Sequence, residues 1–451
     1  MRSHKTDSRS KGGNTMNVVL SPRNYEKEYQ AKLCSPREAA SAIKSGDHLC
    51  FPLGVGEPTL LVQALAARKH ELEGVVVNQQ HHITPGYFTE DSVPHIKVNA
   101  WFTSHVSREA VQKGWADFVP NHFSQVPRLL REYWPVDVAG TVVSPMDEHG
   151  FFTCSLSVGY TMEAVKKARK VVVQVNPQAP RTHGNCHIHV SEVDHIIESN
   201  EPLHELKIPE ISPVEEAIGG YLAEMIPDGS TLQLGWGGVP NAVCKAMLGK
   251  RDLGIHTELI SDGIVDLMMA GAVNNSRKTI NRGKSLGTFA LGTRKVYEFM
   301  HENPMIEMHP VDYVNDPYII GQIDNMVSIN ATIQVDLLGQ CCSESFGHLQ
   351  WSGTGGQSDF AQGANRSRGG KGFICTASTA KNGTVSCIVP SLAAGASITT
   401  SKNDVDHVVT EFGVAKLRGQ TAKQRAMNLI NVAHPDFRGE LMDAARRMNR
   451  I

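Results

Sequence analysis

Four short segments from the first half of this 451-residue chain return, in the same order, in its second half. Ser35-Pro36-Arg37-Glu38 is matched by Ser212-Pro213-Val214-Glu215. Both read as helix starts: a Ser cap, Pro in the first turn where its missing N–H is not needed, and Glu placed to reach back to the cap amide. Ala-rich helical stretches follow, ending near Gly46 and Gly229, and then short apolar runs at Leu49–Leu53 and Leu232–Leu234 that suit buried strands. Each run enters a glycine turn closed by proline (Gly54–Pro58, Gly235–Pro240) and then a second helix (Leu60–Arg68, Ala242–Leu248). Later, Asn382–Ile388 echoes His149–Ser155, and Val405–Val409 echoes Val193–Ile197. The competing explanation is that any two α/β units look alike at this resolution.

A tandem duplication restricts the fold to two copies of one unit. Strands alternating with helices imply mostly parallel sheets covered on both faces, and Val75–Val77 and Val171–Val175 are β-branched runs fit for central strands. The expected fold class is α/β: two tandem, duplicated α/β/α domains about a pseudo-twofold, with the site in the crevice between them. A linker at Ser199–Ser212, rich in Pro and Asn, gives domains of residues 20–205 and 206–451 after a disordered tail at 1–19.

Composition narrows the function. Net charge is −2, so nothing demands nucleic acid or an anionic membrane, and an anionic ligand must be met by a local patch. No apolar run is long enough for a membrane helix, and the polar, basic first fifteen residues lack a signal core. Nine cysteines without a C-x-x-C fit reduced thiols in a cytoplasmic protein.

The glycine turn Gly235-Trp236-Gly237-Gly238-Val239 sits between a strand and a helix, where backbone N–H groups and the helix dipole can face an anion. It is not a dinucleotide fingerprint, because Asn241 stands where the last glycine is needed. A purely structural turn is the simpler alternative. Trp351–Phe360 carries a second cluster, Gly353, Gly355 and Gly356, ahead of Gln357-Ser358-Asp359. Its amides are free to donate, with flanking aromatics as anchors; a plain surface loop is the alternative. Ala364–Gly372 resembles a P-loop only superficially, since Asn365 and Gly372 replace required residues. Arg366, Arg368 and Lys371 are cations for phosphates there, or a solvated basic loop. His183, His187 and His189 match no standard zinc spacing, so no metal is expected. Neither H-E-x-x-H nor G-x-S-x-G occurs. Glu258, in Gly254–Gly263, lies near a strand end just before a helix start, and the first half has no matching glutamate. By pattern alone it reads more simply as a solvated or capping carboxylate than as a nucleophile.

Taken together, Gly235–Ala242, Gly254–Glu258 with Ser261–Asp266, and Gly355–Asp359 resemble the acetyl-CoA hydrolase/transferase family, closest to the 4-hydroxybutyrate and butyryl-CoA:acetate CoA-transferases. The resemblance covers about residues 20–450 and implies two CoA-transferase-type domains and a catalytic glutamate at Glu258. It also implies CoA and oxyanion contacts at Gly235, Trp236, Gly237, Gly238, Val239, Gly355 and Gly356, with Lys371 a candidate for the phosphates. It implies no permanent cofactor, since coenzyme A or acyl-CoA is a substrate. The partners it implies are a short-chain carboxylate and further copies of the chain, as a homodimer or larger homo-oligomer. Trp236 departs from the smaller aliphatic residue usual there, and a ring in the acyl pocket would favour short acyl groups. The chemistry implied is covalent and ping-pong, with a glutamyl-CoA thioester. An attacking carboxylate must be ionised, so the Glu258 pKa is expected well below neutrality. The alternatives are an acyl-CoA hydrolase using the same glutamate, a non-catalytic metabolite sensor and an NAD-dependent oxidoreductase.

Overall fold

The structure, a computed structural model, describes residues 25–208 and 210–451; the expected tail at 1–19 lies outside them. Both helix starts form as capping boxes. In the first half Glu38 accepts from the Ser35 N–H at 2.8 Å, and Ser35 Oγ accepts from the Glu38 N–H at 3.2 Å, opening α1 (Pro36–Ser41). The strand β1 (His48–Cys50) then leads through the Gly54 turn into α2 (Thr59–Ala67). In the second half Ser212 and Glu215 repeat the pair at 2.8 and 3.3 Å ahead of α3 (Pro213–Met225), and α4 (Gly238–Ala246) follows the Gly235 turn. Each box stabilises its helix by about 1 kcal/mol.

The first sheet is completed by β2 (Val75–Gln80), β3 (Ile96–Phe102), β4 (Asp117–Phe118), β5 (Val138–Val143), β6 (Lys170–Val175) and β7 (His195–Glu198). Its order is β7-β6-β5-β1-β2-β3-β4, parallel throughout. The second comprises β8 (Thr231–Leu234), β9 (Gly254–Ile255), β10 (Met326–Ala331), β11 (Lys371–Cys375), β12 (His407–Thr410) and β13 (Gly413–Lys416). Its order is β9-β8-β10-β11-β12-β13, with only β13 antiparallel. Read from the other edge, β12-β11-β10-β8-β9 repeats β7-β6-β5-β1-β2 strand for strand. Five strands in the same order at the same chain positions is what a duplicated unit requires. The halves differ at opposite edges, where the first adds β3 and β4 and the second adds β13.

Burial explains the strand composition. All six residues of β5, five of six in β6 and all four of β8 are buried, because helices cover both sheet faces. One apolar cluster runs through both halves, joining Trp101, Phe123 and Tyr160 to Leu232, Val243, Ile264 and Val296. No helix among the described residues is long and apolar enough to cross a membrane.

Candidate active site

Glu258 lies three residues beyond β9, off the C-terminal edge of the second sheet. Thr257 fastens it to β8: Leu234 N–H donates to Thr257 Oγ1 at 3.3 Å, and that hydroxyl donates to Leu234 O at 3.3 Å. The Glu258 carbonyl accepts from Thr288 N–H at 3.0 Å and Phe289 N–H at 3.1 Å. The glutamate backbone is therefore held from two sides, and its neighbour Leu234 abuts the Gly235 turn.

The carboxylate itself meets Asn315 and Gly356. Asn315 Nδ2 donates to Glu258 Oε2 at 2.7 Å, and the Gly356 amide makes a backbone hydrogen bond to the same carboxylate. Asn315 ends the short helix Val311–Val314, and His256 Nε2–H holds that end by donating to Val314 O at 2.8 Å. Gly356 is the cap residue of α5 (Gln357–Arg366). A Cβ on Gly356 would fall 2.0 Å from Glu258 Oε2 and 2.4 Å from Asn315 Nδ2, so only glycine lets the loop come this close.

The cleft is walled by the first half. Phe102 packs against Gly353 and Gly355, Thr103 N–H donates to Ser352 O at 3.3 Å, and Phe123 N–H donates to Gly355 O at 3.1 Å. The loop anchors are in place: Phe360 is fully buried, and Trp351 lies under the Arg108 guanidinium at 3.7 Å.

The Glu258 side chain keeps an accessible edge, yet burial dominates its titration. Desolvation pushes its pKa up to about 7, while Asn315 and Gly356 pull it down. The expectation of a pKa well below neutrality is therefore corrected: two donors do not offset the loss of water. Asp359, in the first turn of α5, is likewise pushed up to about 7 by burial, with the nearby Glu258 charge adding to the effect.

Register shows what the first half carries in place of the glutamate. Cys50 pairs with Asn78 as Thr231 pairs with Gly254, and four residues beyond each pair lie Gly54 and His82, Gly235 and Glu258. His82 thus occupies the Glu258 slot. It is fully buried, neither ring nitrogen is hydrogen-bonded, and burial lowers its pKa to about 3, which keeps it a neutral core side chain.

The other sequence candidates divide. Gly235 N–H is spent on Ile329 O at 3.1 Å, whereas α4 opens behind Gly237 (φ +130°) with no side-chain cap, leaving a helix N-terminus beside the site. Val239 lies in the first turn of α4, and Gly238 is required because Glu215 fills the space of a Cβ. Trp236 stands 59% exposed and fills no closed pocket. Lys371 is not brought to Glu258. It opens β11, and its Nζ donates at 2.8 Å to the carbonyl of Met225, the last residue of α3. That end of α3 feeds the start of β8, so the ammonium sits at the sheet edge opposite Glu258. Arg368 pairs with Asp324. Among the described residues no group of three or more His, Cys, Asp and Glu is placed to hold a metal ion.

Asn315 escaped the sequence reading because it stands 57 residues from Glu258 and carries no motif of its own. Ser124, which meets Asp359 across 235 residues, was equally invisible.

The comparisons agree with this geometry. The N-terminal domain model of the acetyl-CoA hydrolase/transferases matches residues 17–205, and the C-terminal domain model matches 292–445. A succinyl-CoA:cyclohexane-1-carboxylate CoA transferase of Geobacter metallireducens is 79% identical, over 96% of this chain and 99% of its own length. A 4-hydroxybutyrate coenzyme A transferase of Clostridium kluyveri is 46% identical over 94% and 99%. The crystal structure of RipA from Yersinia pestis superposes with a TM-score of 0.92 at 41% identity, covering 95% of this chain and all of that one.

Proposed function

The chain belongs to the acetyl-CoA hydrolase/transferase family, and on that premise we propose that it moves CoA between an acyl-CoA and a free carboxylate through a glutamyl-CoA thioester on Glu258. The observation that carries this reading is the Glu258 carboxylate in the cleft, gripped by Asn315 Nδ2 and the Gly356 amide. An oxygen of Glu258 attacks the thioester carbonyl carbon. The tetrahedral oxyanion collapses, the C–S bond breaks, and CoA leaves as thiolate from a mixed anhydride. The thiolate then attacks the glutamyl carbonyl, the C–O bond breaks, and the donor acid leaves as carboxylate. An acceptor carboxylate reverses the sequence, so no proton, metal or ATP is consumed. The Gly356 N–H and Asn315 Nδ2 already converge on the reacting group, which suits them to the oxyanion, at about 3 kcal/mol per donor. The open end of α4 at Gly237–Val239 is assigned to an anionic part of CoA.

For the acyl partners, the 79% identical relative supports succinyl-CoA as donor and a cyclohexane-carboxylate type of acid as acceptor. The exposed Trp236 ring supports this over a strict short-chain preference, because it closes off no small pocket. Acetyl-, butyryl- and 4-hydroxybutyryl-CoA are then slower donors, and acetate a slower acceptor. Self-assembly into a homo-oligomer is part of the same proposal.

Trapping tests the mechanism. Incubation with succinyl-CoA followed by hydroxylamine or borohydride is expected to modify Glu258 alone, as read by peptide mass. Full transferase activity with an unmodified Glu258 peptide would reject the assignment. CoA release that does not depend on added carboxylate would instead identify a hydrolase.

The titration gives a second expectation. With Glu258 ionising near pH 7, kcat/KM is expected to fall about tenfold per pH unit below that value and to level off above it. A profile flat down to pH 5 would mean that the carboxylate is not desolvated in the free enzyme.

A further inference from the structure

The Gly356 amide that faces Glu258 belongs to a peptide unit held from the other side by the first half of the chain. A trans peptide is planar, and its C=O and N–H point in opposite directions. Gly355 O accepts from Phe123 N–H at 3.1 Å, so the far end of the same plane, Gly356 N–H, is directed at Glu258. Gly355 takes φ +55°, a left-handed conformation that costs glycine little. The next residue along the first-half turn repeats the grip. Ser124 N–H donates to Asp359 Oδ2 at 3.0 Å, and Ser124 Oγ–H donates to Asp359 Oδ1 at 2.8 Å. Ser124 is 4% exposed and Asp359 3%, so water does not compete for these bonds. Asp359 lies three residues after Gly356 in the first turn of α5, and carboxylate and peptide plane therefore move as one rigid piece.

We propose that the Phe123–Ser124 turn, anchored on the Asp359 carboxylate, is a positioning device for the reaction: it sets the Gly355–Gly356 peptide plane so that its N–H meets Glu258 and the oxyanion formed there. Asp359 and Ser124 touch neither substrate nor the reacting atoms in this assignment. They act through the plane, from opposite halves of the duplicated chain. The arrangement also explains the division of labour in the duplication, since the half without the nucleophile aims the donor used by the half that has it. The inference rests on Glu258 being the nucleophile.

The test is the single-turnover rate constant for forming the Glu258 thioester, measured in the full-length protein with succinyl-CoA and hydroxylamine trapping. This constant is independent of the fraction of molecules folded, so a merely structural role leaves it unchanged. Asp359→Ala is expected to lower it about 100-fold and Ser124→Ala about tenfold. The double variant should be no slower than Asp359→Ala to within about threefold, because both act through one plane. The dissociation constant for free CoA should hold within about threefold in each, consistent with an effect on kcat and not on binding. Rate constants within about threefold of the parent, or losses that multiply in the double variant, overturn the proposal. Should Asp359→Ala not fold, Ser124→Ala decides by the same criterion. If the parent forms no Glu258 thioester, the proposed function itself fails. If the parent forms it and the variants match it, only this inference does.

Discussion

Glu258→Gln is expected to lower kcat by about four orders of magnitude or more while leaving CoA affinity within about threefold. The amide matches the carboxylate in shape but cannot attack a thioester, so covalent catalysis is lost while the cleft stays intact. Asn315 Nδ2 and the Gly356 amide can still donate to the glutamine oxygen. Stopped-flow thiol release and hydroxylamine trapping report the loss, and activity within tenfold of the parent would remove Glu258 from the mechanism. The same substitution has a stability signature. The folded pKa of Glu258, about 7, lies above its ordinary value of 4.5, so the native state binds the proton more tightly than the unfolded chain. Its contribution is undiminished below pH 4.5 and is lost as pH rises toward 7. Glu258→Gln should therefore match the parent in stability at pH 4 and exceed it at pH 8, by up to roughly 3 kcal/mol. Urea melts at the two pH values measure the difference, and a gap of the same size at both would contradict the desolvated carboxylate.

Gly356→Ala is expected to lower kcat by about 100- to 1000-fold, the scale of losing one oxyanion donor. Gly356 has φ −96° and ψ 1°, which alanine adopts freely, so backbone strain does not contribute. The effect is steric: the new methyl would fall 2.0 Å from Glu258 Oε2, where no atom fits. Either the carboxylate or the loop must withdraw, and both movements break the Gly356 hydrogen bond. Losing that donor also removes a contact that holds the Glu258 pKa down, so the acid limb of the kcat/KM profile should move above pH 7. A crystal structure of the variant and its pH profile check the two parts separately. Unchanged kcat and an unchanged limb would show that Gly356 plays no part in the chemistry.

Much of the architecture could be read before any coordinates. The capping boxes at Ser35 and Ser212 involve residues three apart, so sequence spacing alone specifies them. Strand burial is equally local, because runs such as Val171–Val175 have few alternatives to a covered parallel sheet. The order of five strands then followed from duplication. Glu258 stood out because the second copy carries it and the first does not, and its place off the strand edge follows from the chain path. Its chemistry was less legible. A pKa near 7 instead of well below depends on how much water the fold removes, and no residue pattern encodes that quantity.

Lys371 shows the opposite failure. Its spacing from Arg366 and Arg368 suggested a phosphate cradle, but its strand sends the ammonium to Met225 O at the far edge of the sheet. Charge clusters in sequence say nothing about which end of a strand they occupy.

By itself the sequence determined the repeated unit, its helix starts, its buried strands and the one carboxylate that breaks the repeat, since each depends on neighbours within a few residues. Only the tertiary structure decided what surrounds that carboxylate. Asn315 reaches it across 57 residues, and Ser124 holds Asp359 across 235. Such partners are chosen by the packing of the two halves, which sets distances and peptide orientations to tenths of an ångström and excludes the water that would otherwise satisfy the same groups.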